Sequence, residues 1–238
     1  ILKAAIRFCY EERKLAQNVP VKLPERREPR PRFLTYDEAA WLLAGALGWD
    51  RHGKRHHGSI NRHLAHFILT GLYTGTRHER ILRLQWVENL QGGWVDLDRG
   101  ILHRRADNEA ETKKRAPSVP LADAPDANKL WAHLRRWRRL TTRYVIEHNG
   151  SPIESGVYSA WRTACELAGL STDPSDPNKV TPHTLRHTCV TWMLAAGKTP
   201  WQVGKYVGMT ADMVERVYGH VNEAMQRETA NTPRRNGS

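Results

Sequence analysis

The chain has 238 residues, 39% of them hydrophobic and 26% charged, enough for one substantial globular domain with a core and an appendage. Lys and Arg outnumber Asp and Glu by 37 to 25, and the net charge of +12 favours a polyanionic partner. No apolar run is long enough to cross a bilayer, nothing resembles a signal peptide, and Cys9, Cys165 and Cys189 form neither a disulfide framework nor a zinc pattern, so membrane, secreted and zinc-module classes drop out and a reducing cytosol is expected.

The opening ILKAAIRFCYEERKLAQ reads as a helix already in mid-pattern and without Met, and a fragment whose natural start has been cut away is expected. VPVKLPERREPRPRF is too rich in Pro and Arg for regular structure and reads as a linker. A new helix starts at LTYDEAAWLLAGAL, where Thr35 and Glu38 have capping-box spacing. The basic loop WDRHGKRHHGS has no ligand spacing for a metal and reads as solvated, or in contact with phosphate. INRHLAHFILTGLY is a mostly buried helix ending near Thr74 and Gly75, and TRHERILRLQW is another, with Ile81, Leu82 and Leu84 facing inward.

The period then changes to two: GGWVDL, a DRG turn, ILHRR, the connection ADNEAETKKRA and PSVPLA predict a three-stranded antiparallel sheet. Helices follow at DANKLWAHLRRWRRLTTRYVIEH, ESGVYSAWRTACELAGL, TPHTLRHTCVTWMLAAG, TPWQVGKYVG and TADMVERVYGHV, and the tail NTPRRNGS is expected to be flexible. No internal repeat is present. In the third of these helices Thr181 is the expected N-cap and Gly197 the stop. Leu185, Cys189, Trp192 and Ala196 form an apolar stripe there, with His183, Arg186 and His187 opposite. Two imidazoles and a guanidinium near a positive helix start suit an anion.

TGTR with Arg77, TKKRAPSVPL with Lys113, HTLRH with His183 and Arg186, and then Tyr218, in that order, resemble the catalytic domain of the tyrosine recombinase family, phage integrases and Xer-type recombinases in particular. Singly, each residue would more often be a surface charge, a loop lysine, a cap or a core tyrosine; the order carries the resemblance, which runs from about Phe33 to Val221. It implies a mainly α-helical fold with a small three-stranded antiparallel sheet. It implies the last helix of a core-DNA-binding domain at 1–18, a linker at 19–32, the catalytic domain at 33–222 and a tail at 223–238.

The activity implied is cleavage and rejoining of double-stranded DNA at specific recombination sites, through a 3′-phosphotyrosyl link and a Holliday junction, without metal, ATP or other cofactor, by a homo-oligomer on DNA with four protomers expected. A phage or mobile element is the implied setting. The chemistry agrees: two arginines can fork onto the non-bridging oxygens as charge grows there, a tyrosine of pKa about 10 needs a base, and the leaving 5′-oxygen needs an acid. Arg77 and Arg186 take the first role, His183 the second, Lys113 the third, and Tyr218 is the nucleophile.

Two positions depart from the family. Met209 stands where His or Trp usually donates a hydrogen bond; the site works with one donor fewer, or His220 or His187 substitutes. Arg80 stands three places after Arg77 where an acid is frequent, with Glu79 beside it. A catalytically impaired DNA-binding relative is the alternative that Met209 raises. A helix-turn-helix regulator leaves the lysine hairpin unexplained, and the TGTR and HTLRH contexts speak against a type IB topoisomerase.

Overall fold

A computed structural model describes residues 2–21, 31–106, 108–109, 115–121, 128–153 and 156–219. Nine α-helices and two small sheets appear among them. Helix α1 (Leu2–Glu11) buries none of its residues and ends earlier than its sequence pattern predicts, since Arg13 takes a positive φ. Most of the expected linker lies outside the described residues.

Helix α2 (Tyr36–Ala46) starts as its sequence predicts, with Thr35 and Glu38 closing a reciprocal capping box. It packs on α6 (Tyr158–Ala168) at very close range: a Cβ on Gly45 would lie 2.4 Å from the Ala164 carbonyl oxygen. Only a glycine lets the two backbones meet so closely. Helix α3 (Arg62–Thr74) buries Leu64, Phe67, Ile68 and Gly71 and lies against α7 (Thr184–Ala195), where the Gly71 face meets Leu185. Gly75, in the left-handed conformation at φ +61, ends α3.

Helix α4 (His78–Leu82) is a single turn, shorter than TRHERILRLQW predicts. Gln85 and Trp86 leave it to hydrogen-bond with Gly93 and Arg143, because the sheet beside them needs those backbone groups. Ile81 and Leu84 are buried as expected, and Leu82 is half-buried. The three-stranded antiparallel sheet has the predicted order: β1 (Trp94–Asp96), β2 (Ile101–His103) and β3 (Val119–Pro120). Val95 pairs with Leu102 and Leu102 with Val119, so period-two alternation sends all three into the core.

The long helix predicted from DANKLWAHLRRWRRLTTRYVIEH is not there. Helix α5 (Asn128–Trp137) stops after ten residues, and the chain then forms a hairpin of β4 (Glu147–His148) and β5 (Ser151–Pro152). Asn149 and Gly150, both at positive φ, make the tight turn that an Asn-Gly pair favours. Helix α7 begins two residues later than expected. Thr181 does not cap it; its N–H instead donates to Thr184 Oγ1 at 3.0 Å. Nor is α7 two-faced: Leu185, Arg186, Cys189, Val190 and Leu194 are all buried, because it runs through the middle of the domain. Its buried face is wider than the Leu185–Cys189 stripe and takes in Arg186, Thr188, Val190 and Thr191. Ala196 caps it and Gly197 follows at φ +81.

Helix α8 (Pro200–Val207) has its own capping box, Thr199 with Gln202, and ends at Gly208. Helix α9 spans 211–219. No helix among the described residues is long and apolar enough to cross a membrane.

Candidate active site

Three stretches build the site: the turn between α3 and α4, the first half of α7, and α9. Arg77, the last residue of TGTR, stands at the start of α4, and its Nη1 donates to the Arg115 carbonyl at 3.0 Å. Arg186 reaches the same turn from α7, donating from Nη1 to the Gly75 carbonyl at 2.7 Å. The guanidinium of Arg186 is 5% exposed, and its Nη2 is buried without a hydrogen-bond partner. Burial first, then the nearby Arg77, draws its pKa down to about 10, so it stays charged at neutral pH. Such a buried, half-used guanidinium is poised to bind an acceptor.

Tyr218, on α9, is 2% exposed and sits among Val190, Leu194, Val203, Val207 and Val214. Its hydroxyl lies 2.5 Å from His187 Nδ1. Burial drives the phenol pKa up, and burial followed by His183 and Arg186 pushes His187 down to about 4. At neutral pH the phenol is therefore protonated and the imidazole neutral. The phenol donates and Nδ1 accepts, which leaves the ring proton of His187 on Nε2. His183 meets His187 edge to face, centroids 4.6 Å apart, and is itself exposed; burial of part of its ring and the charges of Arg186, His78 and Arg77 hold its pKa down.

Arg77, His183, His187, Arg186 and Tyr218 thus come together. Lys113 and His220 lie outside the described residues. Met209 is half-buried and packs on the Tyr218 cluster, an apolar contact suited to a thioether. Glu79 is exposed. Arg80 forks onto the Glu109 carboxylate, Nη2 to Oε1 at 2.6 Å and Nη1 to Oε2 at 3.1 Å, and Nη1 also donates to the Arg104 carbonyl. Arg80 therefore finds its acid across the hairpin.

Sequence reasoning passed over Arg104. Arg104 is 2% exposed, and among the described residues each hydrogen bond it makes goes to an uncharged oxygen. Nε donates to Thr76 Oγ1 at 2.8 Å, Nη1 to the Pro117 carbonyl at 3.1 Å and the Tyr206 carbonyl at 2.6 Å, and Nη2 to the Thr74 carbonyl. Strand alternation was the available signal: with Leu102 inward and His103 outward, residue 104 turns inward again. Cys189, buried behind these arginines, keeps its proton because burial raises its pKa to about 12 against the pull of Arg104 and Arg186. Gly208, at φ +75, brings the end of α8 against Arg115, since a Cβ there would fall 2.5 Å from the Arg115 carbonyl oxygen. No group of three or more potential metal ligands occurs among the described residues.

A mainly helical domain carrying a small antiparallel sheet, with two arginines, two histidines and a buried tyrosine at one place, has the architecture of a recombinase catalytic domain. The model of the phage integrase family matches residues 52–225, and the chain belongs to that family of tyrosine recombinases. Similar solved structures include XerA recombinase, 24% identical over 98% of this chain and 74% of that one, with a TM-score of 0.59. The integrase of transposon Tn1549 in complex with transposon right end DNA is 17% identical over 96% of this chain and 76% of that one, TM-score 0.61. A lambda integrase tetramer bound to a Holliday junction is 18% identical over 90% of this chain and 56% of that one, TM-score 0.60. At these identities the likeness is one of fold. No curated protein matches the sequence.

Proposed function

We propose that this chain is the catalytic part of a site-specific DNA recombinase that breaks and rejoins strands through Tyr218, in the service of a phage or mobile element. The observation that carries the reading is the Tyr218–His187 hydrogen bond of 2.5 Å beside a buried guanidinium with an unused donor. A nucleophile, a proton acceptor and an anion clamp converge there.

The phenol oxygen of Tyr218 attacks a DNA phosphorus, the bond to the 5′-oxygen breaks, and the phenol proton leaves. On this geometry His187 takes that proton, and the base role expected of His183 moves one turn along the helix; His183, exposed beside it, is left to face the phosphate. Arg77 and Arg186 hold the non-bridging oxygens. Lys113 gives a proton to the departing 5′-oxygen. The product is a 3′-phosphotyrosyl link and a free 5′-hydroxyl, and attack by a second 5′-hydroxyl reverses the step. The link conserves the phosphodiester's energy, so neither ATP nor metal is used.

The DNA-bound and tetrameric relatives support double-stranded DNA as partner and a homo-tetramer on a Holliday junction. We assign residues 1–18 to the end of a core-DNA-binding domain, 19–32 to a linker and 33–222 to the catalytic domain, and place the activity in the bacterial cytoplasm. Incubating the protein in EDTA with a nicked suicide substrate carrying the element's attachment core tests the reading. A covalent protein–DNA band on a denaturing gel, absent in Tyr218→Phe, is expected. Absence of the band with DNA binding intact favours instead a catalytically impaired DNA-binder, the reading supported by the apolar packing of Met209.

A further inference from the structure

Buried charges are expensive and are normally paired with an opposite charge. Among the described residues no carboxylate forms an ion pair with Arg77, Arg104 or Arg186. Arg80, one turn from Arg77, shows what a compensated arginine looks like in the same neighbourhood, forked onto Glu109. Arg104 is the most enclosed of the three, 2% exposed, and four of its five N–H donors go to protein oxygens.

Those oxygens belong to three separate stretches. Thr74 and Thr76 lie in the turn that presents Arg77, Pro117 leads into β3 on the return side of the hairpin, and Tyr206 is in the last turn of α8. The hydroxyls around it point one way. Thr76 Oγ1 accepts from Arg104, so its own proton goes to Thr74 Oγ1 at 2.7 Å, whose proton goes to the Thr70 carbonyl at 2.6 Å. The guanidinium thus fixes the turn's polar groups as well as its backbone.

We propose that Arg104 is a positioning residue for strand cleavage. Its guanidinium binds the TGTR turn, the return strand and the end of α8 into one frame, and its charge, paired with no carboxylate among the described residues, keeps the Arg77–Arg186 clamp complementary to an anion. The inference rests on the recombinase reading given above. Burial chiefly, and then Arg186, lowers the Arg104 pKa to about 9, which leaves it charged at neutral pH. Carbonyl and hydroxyl dipoles hold the cation in place without cancelling it, and among the described residues the carboxylate that acts on the cluster is the exposed Glu79 beside Arg77, so a phosphate meets a largely uncompensated positive charge. The charge acts without contact, in a low-dielectric interior where it is poorly screened.

The test compares wild type, Arg104→Lys and Arg104→Met in three measurements: the thermal midpoint, the affinity for attachment-core DNA by mobility shift, and the single-turnover rate of covalent adduct on the nicked substrate. Residues that orient a reacting group from outside typically cost about 10–100-fold when removed. Arg104→Met is expected to bind DNA within about threefold of wild type and to form adduct roughly 30-fold more slowly, with Arg104→Lys recovering about half of that loss on a logarithmic scale. Equal rates for wild type and a folded Arg104→Met overturn the inference, and so does a loss in Arg104→Lys equal to that in Arg104→Met, which marks a purely structural frame. If Arg104→Met does not fold, Arg104→Ala with and without added guanidinium ion is read the same way. Restored rate supports the role, and a folded, guanidinium-insensitive variant of wild-type rate removes it. Absence of adduct from the wild type itself rejects the recombinase reading and leaves a distinct result.

Discussion

His66 on α3 and His187 on α7 meet nearly the same electrostatic conditions in different surroundings. Each is half-buried, and burial first, then neighbouring cations and imidazoles, brings each pKa to about 4. His66 stacks on Trp137 with ring centroids 4.0 Å apart, has His63, His133 and Arg136 around it, and leaves Nδ1 without a partner. His187 puts the same atom on a phenol. A depressed pKa therefore does not distinguish a packed histidine from a working one. What distinguishes them is the company they keep: His187 has the Tyr218 hydroxyl on Nδ1, with a second imidazole and a half-used guanidinium close by, whereas His66 has a tryptophan face, two imidazoles, the Arg136 cation and a backbone hydrogen bond at Val145, and no nucleophile.

That contrast sets the expected experiments, taken from the largest effect down. Tyr218→Phe removes the covalent band altogether, and Arg186→Ala slows its appearance by about 10²–10³-fold, the range for loss of a donor aimed at transition-state charge; a wild-type rate in Arg186→Ala breaks the site's assignment. His187→Ala slows the band by about 10²-fold or more, the scale of a general base, whereas His66→Phe leaves it within about twofold; matching losses erase the distinction.

The two histidines must agree, however, in how they respond to acid. Their folded pKa values of about 4 lie below the unfolded value near 6.5, so between these the unfolded chain binds more protons and stability falls as pH falls. The contribution is intact above about pH 6.5 and lost on the way down to about pH 4. Urea unfolding of His66→Phe at pH 7 and pH 5 is expected to show roughly 1–2 kcal/mol less loss than wild type; an equal loss means that His66 is solvated in the native protein. The smallest effect belongs to the compensated arginine. Arg80→Gln breaks a partly exposed ion pair and is expected to lower stability by about 0.5–1 kcal/mol in the same assay.

Much of this was legible in the chain. Thr35 and Glu38 announced α2, Gly75 the end of α3, and the change to period two between Trp94 and Val119 the sheet. Arg77, His183, Arg186 and Tyr218 were legible because their order in the sequence is the order in which the fold brings them together. The β4–β5 hairpin was hidden behind a basic, helix-favouring run, although Asn149-Gly150 marked its turn and tertiary pairing overrode propensity. Arg104 was easily missed for a different reason. Composition treats an arginine as a surface residue, and only the alternation of a three-residue strand, with the turn and helix it reaches, makes it an interior cation. The Tyr218–His187 bond likewise depends on how α9 sits against α7, which no local pattern encodes.

Cys189 has a bearing on how the protein tolerates its surroundings. A thiolate beside Arg104 and Arg186 would quench the cluster from within, and an oxidised sulfur would add bulk there. Burial keeps this sulfur as a neutral thiol with a pKa of about 12, and Cys165 is held the same way, so the nucleophilic form that oxidants and alkylating reagents need is scarce. Of the three thiols only Cys9, on the outlying α1, is even partly accessible. Strand cleavage should therefore proceed alike in oxidising and reducing buffer, with maleimide marking Cys9 alone in the native protein.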